Sequence, residues 1–340
     1  MDRKKVYVTR KIPGPALSIL SRDCQVTLNR KPNPPSKREM LKKIRDKDAL
    51  LCMLSDKIDA ELMDTAPGIR VISSYSTGFD HIDIDGATKR GIYVIYTSDI
   101  LTQTTADLTF ALILACSRNI VNADRYIRQK RWKVGWSPDL MLGSDVHGAT
   151  LGIIGLGKIG QAVSCRAIGF GMKVLYYSHT RKYKIESELG TKYVPLEELL
   201  GQSDFVSIHV NLNEQNYHLI DRTKLRMMKK TAFLINTARG SLVNELDLVR
   251  ALKGMMIAGA GLDVFEREPI PKTCPLLNMR NVVLLPHIGS ATYQARYKMA
   301  EVAVKNLLNV LNGKQPEPRF LVNPQVISTH READAKLSMS

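Results

Sequence analysis

The 340-residue chain has no apolar run long enough to cross a bilayer. The longest, around Phe110 to Cys116, is far short of the roughly 20 residues that a spanning helix needs. A strand-like Val6-Tyr7-Val8 stands where a secretory leader would carry its apolar core, so no targeting segment and no membrane partner are expected. The five cysteines (Cys24, Cys52, Cys116, Cys165 and Cys274) are scattered and odd in number. None has metal or redox spacing, so no metal site is expected and a reducing cytoplasm fits best. Internal repeats are missing too. A net charge of +16 comes without any recognised nucleic-acid module, although Lys37, Arg38, Lys42, Lys43, Arg45 and Lys47 cluster early. We read that cluster as a solvated helix face rather than a nucleic-acid footprint. A basic surface would also attract small anionic substrates and cofactors.

What is present is an ordinary globular composition, 44% apolar and 24% charged, at a length that suits two domains. Short apolar runs alternate with helical patterns over the first hundred residues. Strands are expected at Val6–Thr9, Gln25–Leu28, Ala49–Leu54, Arg70–Ser74 and Tyr93–Tyr96, with helices near Pro15–Ser21, Lys37–Arg45, Ala60–Thr65 and Ile84–Lys89. Such alternation predicts a parallel sheet covered on both faces. This first unit lacks a phosphate-binding glycine turn, which makes it the candidate for the substrate rather than the nucleotide.

Thr102 to about Lys130 reads as one long helix with Leu108, Ala111, Leu112, Ala115 and Ile120 as its apolar stripe. The irregular stretch Arg131 to His147 carries Trp132 and Trp136, which either pack against a second subunit or cover their own domain. Six further strands are expected at Thr150–Ile154, Lys173–Tyr177, Phe205–His209, Ala232–Ile235, Ala258–Asp263 and Val282–Leu285. A final amphipathic helix over Ser290–Asn312 presents Met299, Val302, Ala303, Leu307, Val310 and Leu311, and His330 to Ser340 is expected to fray.

The most informative stretch is Leu151-Gly152-Ile153-Ile154-Gly155-Leu156-Gly157-Lys158-Ile159-Gly160. It reads as a buried strand, a glycine turn and a helix whose apolar side holds Ile159, Val163, Ala167 and Ile168. Gly155 would make the tight turn, Gly157 would admit a pyrophosphate and Gly160 would let helix and strand approach, which predicts a dinucleotide site. An acid about 20 residues on would bind the ribose hydroxyls. Instead the chain reads Tyr176-Tyr177-Ser178-His179-Thr180-Arg181-Lys182, and the first acid is Glu186, already in the next helix. Hydroxyl, imidazole, guanidinium and ammonium groups favour a 2′-phosphate, so NADP is expected over NAD, with NAD possible.

Three polar residues follow three apolar strands: Arg239 in Asn236-Thr237-Ala238-Arg239-Gly240, Glu268 after Asp263-Val264-Phe265-Glu266-Arg267, and His287 in Pro286-His287-Ile288-Gly289-Ser290. The carboxyl ends of parallel strands share one edge, where ligands bind. An arginine there can hold a carboxylate and polarise a carbonyl, and a histidine can donate a proton as hydride arrives. A carboxylate on its far nitrogen fixes the tautomer and favours the protonated form.

From roughly Val6 to Pro324 the chain resembles the D-isomer-specific 2-hydroxyacid dehydrogenase family. The likeness is carried by Ser76-Thr77-Gly78-Phe79-Asp80-His81-Ile82-Asp83, Gly155–Gly160, Asn236–Gly240, Gly261-Leu262-Asp263-Val264 through Glu268-Pro269, and Pro286–Ser290. The 176–182 run and Trp136-Ser137-Pro138 make it most similar to archaeal-type reductases of glyoxylate and hydroxypyruvate. The resemblance implies an α/β fold of two doubly wound parallel-sheet domains, a Rossmann dinucleotide-binding domain (102–287) inserted into a flavodoxin-like substrate domain (1–101 and 288–326), with a tail at 327–340. The two domains would close on the ligand through crossings near Leu101 and Ile288.

By the same resemblance, Arg239 would orient a keto acid, and Glu268 and His287 would form the acid pair. Thr77 and Gly78 would hold the substrate carboxylate, Leu54 would lie against the substrate, and Trp136 would approach the partner's site in a homodimer. Thr105, Gly155, Gly157, Lys158, Ile159, Gly160, Ser178, His179, Thr180, Arg181, Val210, Asn211, Thr237, Ala238, Asp263 and Gly289 would line the cofactor. Asn211 and Asn213 replace the usual proline and threonine, and Asp107 the usual glutamate. A dehydrogenase for D-lactate, 3-phosphoglycerate or phosphite, and a nucleotide-sensing interaction protein of the corepressor type, remain alternatives.

Overall fold

The computed structural model describes residues 3–328, so the stretch His330–Ser340 and most of the expected tail lie outside the described residues. The chain divides into two compact units: residues up to Leu101 together with those from Ala291 onward, and Thr102–Ser290.

In the first unit five strands alternate with four helices: β1 (Lys5–Val8), α1 (Ala16–Asp23), β2 (Gln25–Leu28), α2 (Lys37–Ile44), β3 (Ala49–Cys52), α3 (Ala60–Asp64), β4 (Val71–Ser74), α4 (Ile84–Lys89) and β5 (Tyr93–Ile95). All pairings are parallel, in the order β2-β1-β3-β4-β5, so the order reverses between β1 and β3. That is the flavodoxin-like doubly wound arrangement. Strands β3 and β4 are buried along their whole length, as parallel strands covered on both faces must be. The early basic cluster is partly neutralised: Lys37 pairs with Asp59 and Glu61, and Lys47 with Asp46. Lys43 lies 5.7 Å above the Tyr7 ring.

The second unit opens with α5 (Thr102–Ser117) and α6 (Ile120–Arg128) and continues β6 (Thr150–Ile154), α7 (Lys158–Gly169), β7 (Lys173–Tyr177), α8 (Tyr183–Leu189), β8 (Lys192–Tyr193), α9 (Leu196–Gln202), β9 (Phe205–Ile208), α10 (Arg222–Met227), β10 (Phe233–Asn236), α11 (Glu245–Lys253), β11 (Gly259–Leu262) and β12 (Val282–Leu284). Its seven parallel strands run β12-β11-β10-β9-β6-β7-β8, a Rossmann order with one strand more than the six expected at the sequence level. The addition, β8, is two residues long and too short to leave an apolar pattern.

The single helix expected over Thr102–Lys130 is in fact two. Asn119 breaks it with φ 53°, a left-handed conformation that asparagine tolerates. The Ser117 carbonyl accepts the Ser144 N–H at 2.8 Å instead of extending the helix, and Asn119 Nδ2 donates to the Leu142 carbonyl at 3.0 Å. The buried face of α5 also differs from the expected stripe. Of the five residues proposed only Leu112 is buried, and the face is made by Thr105, Ala106, Thr109, Phe110, Leu112, Ile113 and Cys116. Threonines fit there because their hydroxyls are satisfied: Thr105 donates to the Gly289 carbonyl and Thr109 to that of Thr105. On α7, Val163 and Ala167 are buried as expected, but Ile168 is exposed.

After the second unit, α12 (Tyr293–Leu311) packs on α1 and on β3, β4 and β5, and buries all six apolar residues of its expected stripe. The chain then bridges β5 at Leu321, and buried Asn323 accepts from Val94 N–H and donates to the Ile92 carbonyl. No helix among the described residues is long and apolar enough to cross a membrane.

Burial pushes the imidazole of His209, just past β9, from its ordinary 6.5 down to about 3. Between those values the unfolded chain binds a proton that the fold refuses, so stability is full above 6.5 and falls as pH drops toward 3, by at most about 1.4 kcal/mol per pH unit. Replacing His209 with Gln removes this titration. Urea unfolding between pH 6.5 and 3.5 should show a shallower loss of stability in H209Q than in the wild type, and parallel slopes would contradict the assignment.

Candidate active site

The glycine turn after β6 has the geometry a pyrophosphate requires. Gly155 sits at φ 99°, and a Cβ there would come 2.7 Å from the His209 carbonyl oxygen. A Cβ on Gly160 would lie 2.2 Å from the Gly155 carbonyl oxygen, whereas one on Gly157 would meet nothing within 4 Å. The first and third glycines therefore make close backbone contacts, and the middle one faces open space. Gly157 caps α7 without a side-chain cap, so the positive end of the helix dipole lies at this turn. Lys158 and Ile159 start the helix; Lys158 is exposed and Ile159 half-buried. These features fit a dinucleotide.

Beyond β7, Ser178 Oγ accepts the Leu156 N–H at 2.9 Å, tying the turn after β7 to the glycine turn. His179, Thr180 and Arg181 are exposed. Arg181 is not the isolated cation that the sequence suggests. Its Nε and Nη2 form a bidentate pair with Glu186 on α8 at 2.8 and 2.9 Å. Val210 and Asn211 follow β9.

His287 and Glu268 meet at the carboxyl edge of β10, β11 and β12. His287 Nδ1 and Glu268 Oε2 are 2.8 Å apart. Glu268 Oε1 accepts the Phe265 N–H at 3.1 Å. Burial pushes the Glu268 carboxyl up, but the His287 hydrogen bond and charge, the Phe265 N–H and the nearby Arg239 charge together outweigh it and hold the group below the usual carboxylate range. Arg239 thus lies close enough to bias Glu268. Its own turn is folded by Asn236, whose side chain accepts the Ala238 N–H and donates to the Arg239 carbonyl.

His287 has φ 55°, a left-handed backbone stabilised from below by Asp263. The Asp263 carbonyl accepts the His287 N–H, and its fully buried carboxylate accepts the Ile288 and Gly289 N–H groups at 2.7 and 2.8 Å. Thr237 Oγ1 stands 3.0 Å from Thr109 Oγ1 and Thr105 bonds Gly289, so α5 joins the same network. In the first unit, Leu54 follows β3 and is 41% exposed, and Thr77 and Gly78 follow the adjacent β4, where Ser76 Oγ donates to the Gly78 carbonyl. Trp136 is 83% exposed and so does not cover its own domain.

Residues 110–289 match the NAD-binding domain of the D-isomer-specific 2-hydroxyacid dehydrogenases. The chain is 53% identical over 329 residues to a glyoxylate reductase of Thermofilum pendens, covering 96% of each chain. The chain belongs to the D-isomer-specific 2-hydroxyacid dehydrogenase family. A Thermus thermophilus protein of known structure is 47% identical with a TM-score of 0.88, over 94% of this chain and 99% of that one. An NADPH-dependent glyoxylate/hydroxypyruvate reductase from Sinorhizobium meliloti, crystallised with NADP and malonate, is 31% identical with a TM-score of 0.79, over 91% and 94%. The protein is accordingly an NAD(P)-dependent oxidoreductase of this family.

As a 2-hydroxyacid dehydrogenase it accommodates its unusual positions locally. Asn213 forms a capping box with Asn216, each side chain accepting the other's backbone N–H at 3.0 and 2.7 Å. Asp107 accepts from Arg166, joining α5 to α7. Other supports escaped the sequence reading. Glu266 accepts the Glu245 N–H at 2.8 Å, and His218 Nε2 stands 2.9 Å from it, so the loop bearing Glu268 is anchored from a second side. No local motif announces those contacts, which join residues 21 and more positions apart.

A Cβ on Gly240 would lie 1.8 Å from the Phe265 carbonyl carbon, so the Arg239 turn and the Glu268 loop touch through bare backbone. Gly240→Ala should force them apart. Dehydrogenase turnover should fall by about a hundredfold, the scale expected for a misplacement near 1 Å, with cofactor affinity within a few-fold. Unchanged turnover in steady-state kinetics would contradict this coupling.

Proposed function

We propose that the protein reduces a small 2-keto acid, glyoxylate or hydroxypyruvate, to the 2-hydroxy acid with NADPH. The observation that carries this reading is the 2.8 Å contact of His287 Nδ1 with Glu268. It commits Nδ1 to the carboxylate and leaves Nε2 to present a proton. Arg239 binds the substrate carboxylate and polarises the adjacent carbonyl, and the backbone N–H groups of Thr77 and Gly78 hold the same carboxylate. Leu54 lies against the substrate's carbon end.

NADPH, when bound, supplies the hydride that reaches the carbonyl carbon. His287 Nε2 gives its proton to the carbonyl oxygen, leaving a neutral imidazole that solvent reprotonates. Glu268 keeps the ring oriented and stabilises its charged form. The pyrophosphate is held by Gly155, Gly157, Lys158, Ile159 and Gly160, and the 2′-phosphate by Ser178, His179, Thr180 and Arg181. Val210, Asn211, Thr105, Thr237, Ala238, Asp263 and Gly289 complete the cofactor site. The second unit is then the nucleotide domain and the first the substrate domain, and exposed Trp136 serves a homodimer by reaching the partner's site. The names of the reductases from Thermofilum pendens and Sinorhizobium meliloti support the choice of substrate and cofactor.

Replacing His287 with Ala should abolish glyoxylate reduction, by at least the 10²–10⁴-fold typical of a lost general acid, while NADPH binding measured by calorimetry stays within about threefold. Turnover at the wild-type rate would remove His287 as the acid.

A further inference from the structure

Arg181 is held on three sides. Glu186 takes its Nε and Nη2 edge, the Tyr183 ring lies 4.6 Å from the guanidinium carbon, and the Tyr193 ring 5.5 Å. Glu186 is fixed in turn by the Tyr176 hydroxyl, which donates to Oε1 at 2.6 Å and accepts the Lys182 N–H at 2.8 Å. The Arg181 and Tyr176 hydrogen bonds hold the Glu186 carboxyl down at about 2, so it is ionised throughout the working pH range. A 2′-phosphate approaching this turn therefore meets an arginine whose charge is already balanced and whose best fork is taken.

We propose that Glu186 sets the balance between NADPH and NADH, by competing with the 2′-phosphate for the Arg181 guanidinium. The inference rests on the reading of Arg181 as part of the 2′-phosphate site. With NADH bound, the Arg181–Glu186 pair stays closed and the guanidinium keeps its carboxylate partner. With NADPH bound, the phosphate must share or displace the carboxylate, and part of its attraction to Arg181 is cancelled. One turn thus admits both cofactors, and the preference for NADPH is moderated by an acid that lies five residues past the arginine instead of at the end of β7.

Calorimetric titration of NADPH and NADH into the wild type, Glu186→Gln, Arg181→Ala and the double variant tests this. Glutamine keeps an acceptor for the Tyr176 hydroxyl while removing the charge. E186Q should tighten NADPH by about tenfold, the scale of one charge-assisted hydrogen bond, leave NADH within about twofold, and steepen the salt dependence of NADPH binding. In the R181A background the same change should do nothing to NADPH. If R181A weakens NADPH selectively but E186Q leaves it unchanged or weaker, the competition is refuted and the 2′-phosphate reading survives. If R181A affects both cofactors equally, that reading fails and the inference falls with it. A general folding defect in E186Q would weaken both cofactors in either background, and Glu186→Ala, expected to tighten NADPH likewise, checks the sign independently.

Discussion

The buried carboxylate of Asp263 is the constraint from which the reactive edge of the second unit follows. Burial pushes its pKa up, opposed by the Ile288 and Gly289 N–H groups and the His287 charge. A carboxylate so placed is costly unless its oxygens are satisfied, and here each oxygen accepts a backbone N–H from the loop after β12. Through its main chain the same residue bonds Asn236 at the end of β10 and the N–H of His287. Three strand ends are thereby locked in register, and His287 keeps the left-handed backbone that aims its ring at Glu268. The absence of a Cβ at Gly240 then lets the Arg239 turn close against the Phe265 backbone, bringing the three polar groups of the edge together.

How much of this was legible in the sequence follows from what apolar periodicity can report. Strands β2, β6 and β7 stand at their expected limits because short runs of strand-forming residues bounded by turn residues have few alternatives. The six buried residues of α12 were equally clear. The break at Asn119 was not, since it depends on Ser144 taking a helix carbonyl from outside the helix. The face of α5 was misjudged because buried threonines with satisfied hydroxyls look polar in a list of residues. Arg239, Glu268 and His287 could be named because strand ends in a parallel sheet share an edge. Their supports, Asn236, Thr109, Glu266 and His218, could not, since each acts through a polar contact with no pattern of its own.

The turn after β7 shows the same limit from the other side. Read as a string, 178–182 offers cations without an acid. In the fold, helix α8 returns Glu186 to Arg181, so the local charge differs from the sum suggested by neighbouring letters. Charge at a turn is a property of three-dimensional partners, and in the proposed competition cofactor choice would depend on whether Glu186 releases the guanidinium.

The measurement that tests the central claim most directly is the initial rate of reduced-nicotinamide absorbance loss on the purified protein with glyoxylate, with NADPH beside NADH. Rapid turnover with NADPH and slower turnover with NADH are expected. No turnover with either cofactor, in protein that binds both, would contradict it.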